Sequence, residues 1–205
     1  MLYLAFLALD LLGQTELSVW LKYAGILFCL TFSLLLLPFG GDRLIPLALL
    51  FTSAADWFLL VRNNRLLLGV ALFLCVQKLY FLRLYRAGGS CRLLWLRIPL
   101  AAAFSLPLAL IPGMFTPLNL LAVFYFSQLL SNTILAWTLP ALRIFAFGLT
   151  LFVGCDICVG LLHAFTLPPA LFPLISVGIW FFYLPSQILI ALSALPKEMT
   201  HNENK

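Results

Sequence analysis

Long apolar runs separated by short polar breaks dominate the chain, and the runs have the length of helices rather than strands. Eight segments emerge, at about 1–13, 17–38, 43–61, 65–86, 93–111, 117–138, 141–164 and 171–194. The breaks carry turn chemistry: Pro38 to Arg43 (PFGGDR), Arg62 to Arg65 (RNNR), Arg86 to Arg92 (RAGGSCR), Pro112 with Gly113, and Pro168 with Pro169. A helix of about 20 apolar residues spans a hydrocarbon core of roughly 30 Å. The pattern therefore predicts an all-α, polytopic transmembrane helix bundle of about eight helices over 1–195, followed by a polar tail at 196–205. The first segment rises only about 20 Å, which makes seven full spans the alternative count. That segment lacks a basic n-region and an A-x-A site, so it reads as a retained helix rather than a removed signal.

Composition strengthens the membrane reading. Of 205 residues, 64% are hydrophobic and 9% charged, whereas a soluble domain is about half apolar and a quarter charged. The net charge of +5 comes from basic residues scattered singly over short loops. With no basic stripe, membrane lipid headgroups are the expected counterpart and nucleic acid is not. The loops reached after the second segment gather Arg43, Arg83, Arg86, Arg92, Arg97, Arg143, Lys197 and Lys205, against Arg62 and Arg65 on the other side. The positive-inside rule then places the first set, and both termini of an eight-span chain, in the cytoplasm of a cell (inner) membrane. The five cysteines mostly lie in apolar runs, and Cys155 with Cys158 reads as packing rather than as a metal site.

Against this background two residues stand out. Asp56 and Asp156 sit inside membrane-length runs, where a carboxylate costs roughly 3 kcal/mol on insertion scales. Such groups usually face a polar cavity and take part in binding or chemistry. Counting from the predicted ends, Asp56 lies roughly 8 Å and Asp156 roughly 12 Å from the same membrane face. Lys22 falls at a similar depth, so opposite charges can offset each other's desolvation. Gln77, Tyr80, Tyr183 and Gln187 are placed nearer the middle, where they can extend a polar cavity inward. Pro185 lacks the amide hydrogen for a helical bond and is expected to kink the last segment just before Gln187. Asn132 and Ser131 are candidate helix–helix hydrogen-bond partners, and His163 an interfacial residue. The chain has no H-E-x-x-H, G-x-S-x-G or P-loop sequence, and two histidines do not make a multi-histidine metal centre. No cofactor is implied.

These residues resemble the motifs of the YhhN-like membrane proteins, which include the lysoplasmalogenases. The family's Lys-Pro resembles Lys22-Tyr23, and its Gly-Asp resembles Ala55-Asp56. Its G-x-x-x-F-x-x-x-H-x-x-Y pattern is similar to Gly69, Phe73, Gln77 and Tyr80. Its G-x-x-x-F-x-x-S-D pattern is similar to Gly148, Phe152, Cys155 and Asp156. Its Tyr-x-x-Ala-Gln-x-Leu-Ile pattern is similar to Tyr183, Ser186, Gln187, Leu189 and Ile190. The resemblance covers about residues 20–193, with Gln77 in place of a histidine, Tyr23 of a proline, Ala55 of a glycine and Cys155 of a serine.

The resemblance implies hydrolysis of the vinyl ether bond of a single-chain ether lysophospholipid, giving a fatty aldehyde and glycerophospho-ethanolamine or -choline. That chemistry suits two buried carboxyl groups. One protonates the alkene, and the other stabilises the oxocarbenium ion and aims water. Asp156 is the expected acid and Asp56 the ionised partner held by Lys22, although the two can exchange roles. Gln77, Tyr80, Tyr183 and Gln187 are expected to position substrate or water, with Lys22 alternatively on the phosphate. The competing reading is a non-catalytic lipid-binding or transport protein using the same cavity.

Overall fold

The computed structural model describes residues 15–62, 65–164, 168 and 171–196. Among them are seven α-helices and no strand. The helices are α1 (Thr15–Leu35), α2 (Leu44–Asp56), α3 (Leu66–Arg86), α4 (Arg97–Leu110), α5 (Pro117–Trp137), α6 (Arg143–Ala164) and α7 (Leu171–Leu192). Each corresponds to a segment predicted from the apolar runs. The first predicted segment and nearly all of the tail lie outside the described residues.

With their terminal turns, six helices are long and apolar enough to cross a membrane; α4 is shorter. These six form a closed ring in which α1 meets α2, α2 meets α3, α3 meets α5, α5 meets α6, α6 meets α7, and α7 returns to α1. Helix α4 packs on α5 from outside the ring and buries none of its residues. The polarity of the bundle is inverted relative to a soluble protein. Phe28, Leu35, Leu110 and Leu174 are exposed, while Lys22, Asp56, Gln77, Arg83, Asn132 and Gln187 are buried. Apolar groups facing outward cost nothing in lipid, whereas polar side chains there would lose their partners. The molecule is an integral multi-pass membrane protein.

Helix ends follow from local chemistry. A 3₁₀ turn at Leu37–Phe39 ends at Gly40, whose φ of 86° is left-handed and suits a residue without Cβ. Asp42 then caps α2, accepting from the Leu44 N–H at 3.0 Å. Thr116 caps α5 through the Asn119 N–H at 3.2 Å. The fifth predicted segment divides into a 3₁₀ stretch, Cys91–Leu96, and α4. The third segment also differs from a plain helix. After Asp56 the chain widens into a π turn, Trp57–Val61, closed by the Arg62 N–H on the Trp57 carbonyl at 2.9 Å.

One end of the ring is tied together by Arg83. Its Nε meets Asp42 Oδ2 at 2.6 Å, and its Nη1 donates to Ser193 Oγ at 2.8 Å. The guanidinium also lies over the Phe145 ring, 4.5 Å from its centroid. This links the entry to α2, the exit of α3, the wall of α6 and the turn after α7. The sequence placed Arg83 with the loop cations; it is instead turned inward and buried.

Candidate functional site

Asp56 ends the regular part of α2, and the π turn that follows packs against α3 at Gly69. A Cβ added there would stand 2.4 Å from Leu59 Cγ, so the absence of a side chain lets the widened turn settle against the next helix. Asp56 is 5% exposed. Its Oδ2 accepts a 2.6 Å hydrogen bond from the Tyr183 hydroxyl, which reaches across from α7. Helix α7 stands close to α6 because Gly148 faces Ser186 and Ile190. A Cβ at Gly148 would lie 2.9 Å from Ile190 Cγ1 and 3.2 Å from the Ser186 carbonyl oxygen. The two motif glycines thus set the approach of the helices that carry the acidic groups and their tyrosine.

Lys22, on α1, is buried, with its Nζ 4.9 Å from the Trp180 ring centroid. Trp180 in turn packs edge-on against Tyr183 at 5.3 Å, which brings the cation to the flank of the Asp56–Tyr183 pair.

Asp156, on α6, has its own tyrosine. The Tyr125 hydroxyl of α5 lies within interaction range of it, although neither Tyr125 OH nor Asp156 Oδ2 meets hydrogen-bond geometry with any group. The two Asp–Tyr pairs are joined by a wall of rings. Tyr125 packs on Phe73 at 5.8 Å, Phe73 on Phe152 at 5.7 Å, and Phe152 on Tyr183 at 5.6 Å. Phe73 and Phe152 are the aromatic positions of two of the sequence motifs. Cys155, buried beside Asp156 in the chain, is within electrostatic reach of both carboxyl groups. It packs as a small apolar residue, as its sequence context implied.

The remaining predicted residues lie one helical turn or more toward the Arg83 end. Gln77 is fully buried, and its side-chain oxygen and main-chain carbonyl both accept from Asn132 Nδ2 at 2.9 Å. Asn132 Oδ1 accepts from Arg97 at 3.0 Å. Gln77 therefore joins α3 to α5, the interhelical role expected of Asn132. Ser131 bonds within its own helix, to the Ser127 carbonyl at 2.8 Å. Tyr80 packs edge-on against Phe145 at 5.2 Å, and its hydroxyl is near Thr52. Gln187 is fully buried just past Pro185, which α7 accommodates without ending. His163 is exposed, its Nδ1 2.9 Å from the Val159 carbonyl oxygen of its own helix.

A groove of about 410 Å³ lies on the outer face where α1, α2 and α3 meet, beside the residues that flank Asp56 in the chain. Tyr23, Ser53, Trp57, Phe58 and Leu72 line it, and the Tyr23 and Trp57 rings pack at 5.7 Å. Tyr125, Thr52 and Gln128 were not singled out from the sequence. The signal for Tyr125 is a polar face at helical spacing, since Gln128 and Asn132 follow it by one and two turns on α5.

Fold and site together define a polytopic helical membrane protein that carries the acidic residues Asp56, buried, and Asp156, half-buried, on the helices of its bundle. The chain belongs to the YhhN family, whose model matches residues 17–194. Among curated proteins and solved structures, none matches the chain significantly.

Proposed function

We propose that the protein is a membrane-embedded hydrolase of the vinyl ether bond in single-chain ether lysophospholipids. The observation that carries this reading is the pair of carboxyl groups within the bundle, Asp56 buried and Asp156 half-buried with its Oδ2 shielded, each beside a tyrosine and both within reach of Cys155. Asp56 accepts a short hydrogen bond and suits the ionised role. Asp156 has an oxygen without a hydrogen-bond partner, which can carry a proton to the substrate.

In the proposed reaction Asp156 gives its proton to the alkene carbon distant from the ether oxygen. The resulting oxocarbenium ion is stabilised by ionised Asp56 and the aromatic wall. Water adds to the cationic carbon and passes a proton to Asp56. The hemiacetal then breaks: its hydroxyl proton returns to Asp156, Asp56 protonates the departing oxygen, and aldehyde and alcohol separate. Lys22 is suited to the phosphate of the headgroup, and the groove at Tyr23 and Trp57 to lateral entry of the chain, since its volume lies in the usual ligand range of about 300–1,000 Å³. Tyr80, Gln77 and Gln187 support the site from below.

The test is aldehyde release from a synthetic lysoplasmalogen by purified protein in lipid nanodiscs. Asp156→Asn is expected to lower the rate at least about a hundredfold, with a comparable loss for Asp56→Asn. Undiminished release from both variants would remove the mechanism. The second reading, a non-catalytic lipid-binding or transport protein, draws on Gln77, which stands where the resembling motif has histidine and is engaged by Asn132. Lipid binding by wild-type protein without aldehyde release would favour it.

A further inference from the structure

Immediately beneath the carboxyl groups, toward the Arg83 end, six buried residues carry polar atoms that meet hydrogen-bond geometry with no group among the described residues. They are Thr52 Oγ1, Gln77 Nε2, Tyr80 OH, Gln128 Oε1, Ser186 Oγ, and both Nε2 and Oε1 of Gln187. Each of these residues is at most 1% exposed.

Their placement follows from the register of the layer above. Asp56 is bonded to Tyr183, and Tyr125, Phe73, Phe152 and Tyr183 pack ring against ring. Helix α2 runs toward that layer from Asp42, so Thr52, one turn before Asp56, lies beneath it. Helices α3, α5 and α7 run away from it, so Gln77 and Tyr80, Gln128, and Ser186 with Gln187 lie beneath it too. One turn is about 5.4 Å. Four helices of the ring therefore present unpartnered polar atoms at neighbouring depths. The Arg83–Asp42–Ser193 cluster and the Arg97–Asn132 pair lie further toward that end and tie the same helices together.

Self-satisfaction within a helix does not account for these atoms. A helical Ser or Thr can bond a carbonyl three or four residues back. Ser53, Ser127, Ser131, Thr133 and Thr150 all do so in this protein. Thr52 and Ser186 do not; the Thr52 hydroxyl faces that of Tyr80 without reaching hydrogen-bond geometry, and the Ser186 hydroxyl is likewise turned to the space between the helices. Left dry, seven such atoms would cost as much as the whole folding free energy of an ordinary domain. Buried polar groups of this kind are normally satisfied by ordered water with two to four partners each.

We propose that the ring encloses a water-binding site formed by Thr52, Gln77, Tyr80, Gln128, Ser186 and Gln187, directly below the two aspartates. Its use, as the store of the water that adds to the oxocarbenium carbon, rests on the hydrolase reading above. The binding of water itself does not.

Radiolytic hydroxyl-radical labelling of the full chain in nanodiscs, without lipid substrate, reads the site directly, because radicals form from water held beside a side chain. Tyr80 and Tyr125 are expected to be labelled in the wild-type protein. Leu149, equally buried on α6 and apolar in surroundings, is expected to stay unlabelled. Gln77→Leu combined with Gln187→Leu is expected to abolish labelling at Tyr80. Tyr80 and Tyr125 as silent as Leu149 in the wild type would overturn the proposal, and this comparison needs no variant to fold. Undiminished labelling of Tyr80 in a folded double variant would overturn it as well. Labelling without aldehyde release would remove the hydrolase reading and leave the water site standing; release without labelling would do the reverse.

Discussion

The Tyr183 hydroxyl is bonded directly to Asp56, and its removal is a sharp single-atom change. Tyr183→Phe keeps the ring that packs on Phe152 and Trp180 but withdraws the 2.6 Å hydrogen bond. A hydrogen bond to a charged group contributes about 1.5–3 kcal/mol, so the rate of aldehyde release is expected to fall on the order of tenfold. Unchanged kinetics would separate Tyr183 from the chemistry. Both aspartates were legible in the sequence because a carboxyl group in an apolar run is anomalous by itself. Lys22 was legible for the same reason. Tyr125 was not, because an aromatic residue in an apolar run is ordinary until its neighbours across the bundle are known. The role of Gln77 was also hidden: its depth could be counted, but Asn132 as its partner depends on which helices touch.

At the scale of elements, hydropathy located the helices to within a few residues, since length and apolarity are properties of each segment alone. The π turn after Asp56 could not be read in this way. It depends on Gly69, on a different helix, admitting Leu59. Gly69→Ala is expected to force the turn and α3 apart and to cost about 1–3 kcal/mol, measured as a lower Tm in detergent. Adding Leu59→Ala should recover part of that loss by vacating the space. A double variant no more stable than the sum of the single changes would show that the two residues do not share it.

At the scale of the molecule, the ring is held at one end by an ion pair that no motif or spacing announces. Asp42 and Arg83 lie in separate breaks and segments, and a loop cation is ordinarily solvated. The Arg83 side chain is 5% exposed and that of Asp42 33%. Asp42→Ala strands the guanidinium and is expected to cost about 3 kcal/mol. Arg83→Met removes the buried charge altogether and should cost less. Thermal unfolding of the two variants gives the comparison, and a milder effect for Asp42→Ala would contradict this account. Closure of the ring was likewise invisible in the run of apolar segments, because neighbours around a ring are set by packing rather than chain order, as α3 beside α5 illustrates.

The hydrogen bond from Tyr183 to Asp56 joins residues 127 positions apart. A ribosome adding about 5–20 residues per second delivers the phenol roughly ten seconds after the acid. Throughout that interval the newly made α2 carries its acidic group without the companion it will keep. The nascent chain must hold this helix near water or within the insertion machinery until α7 has been made, so that the site is assembled only after the intervening helices are already in place.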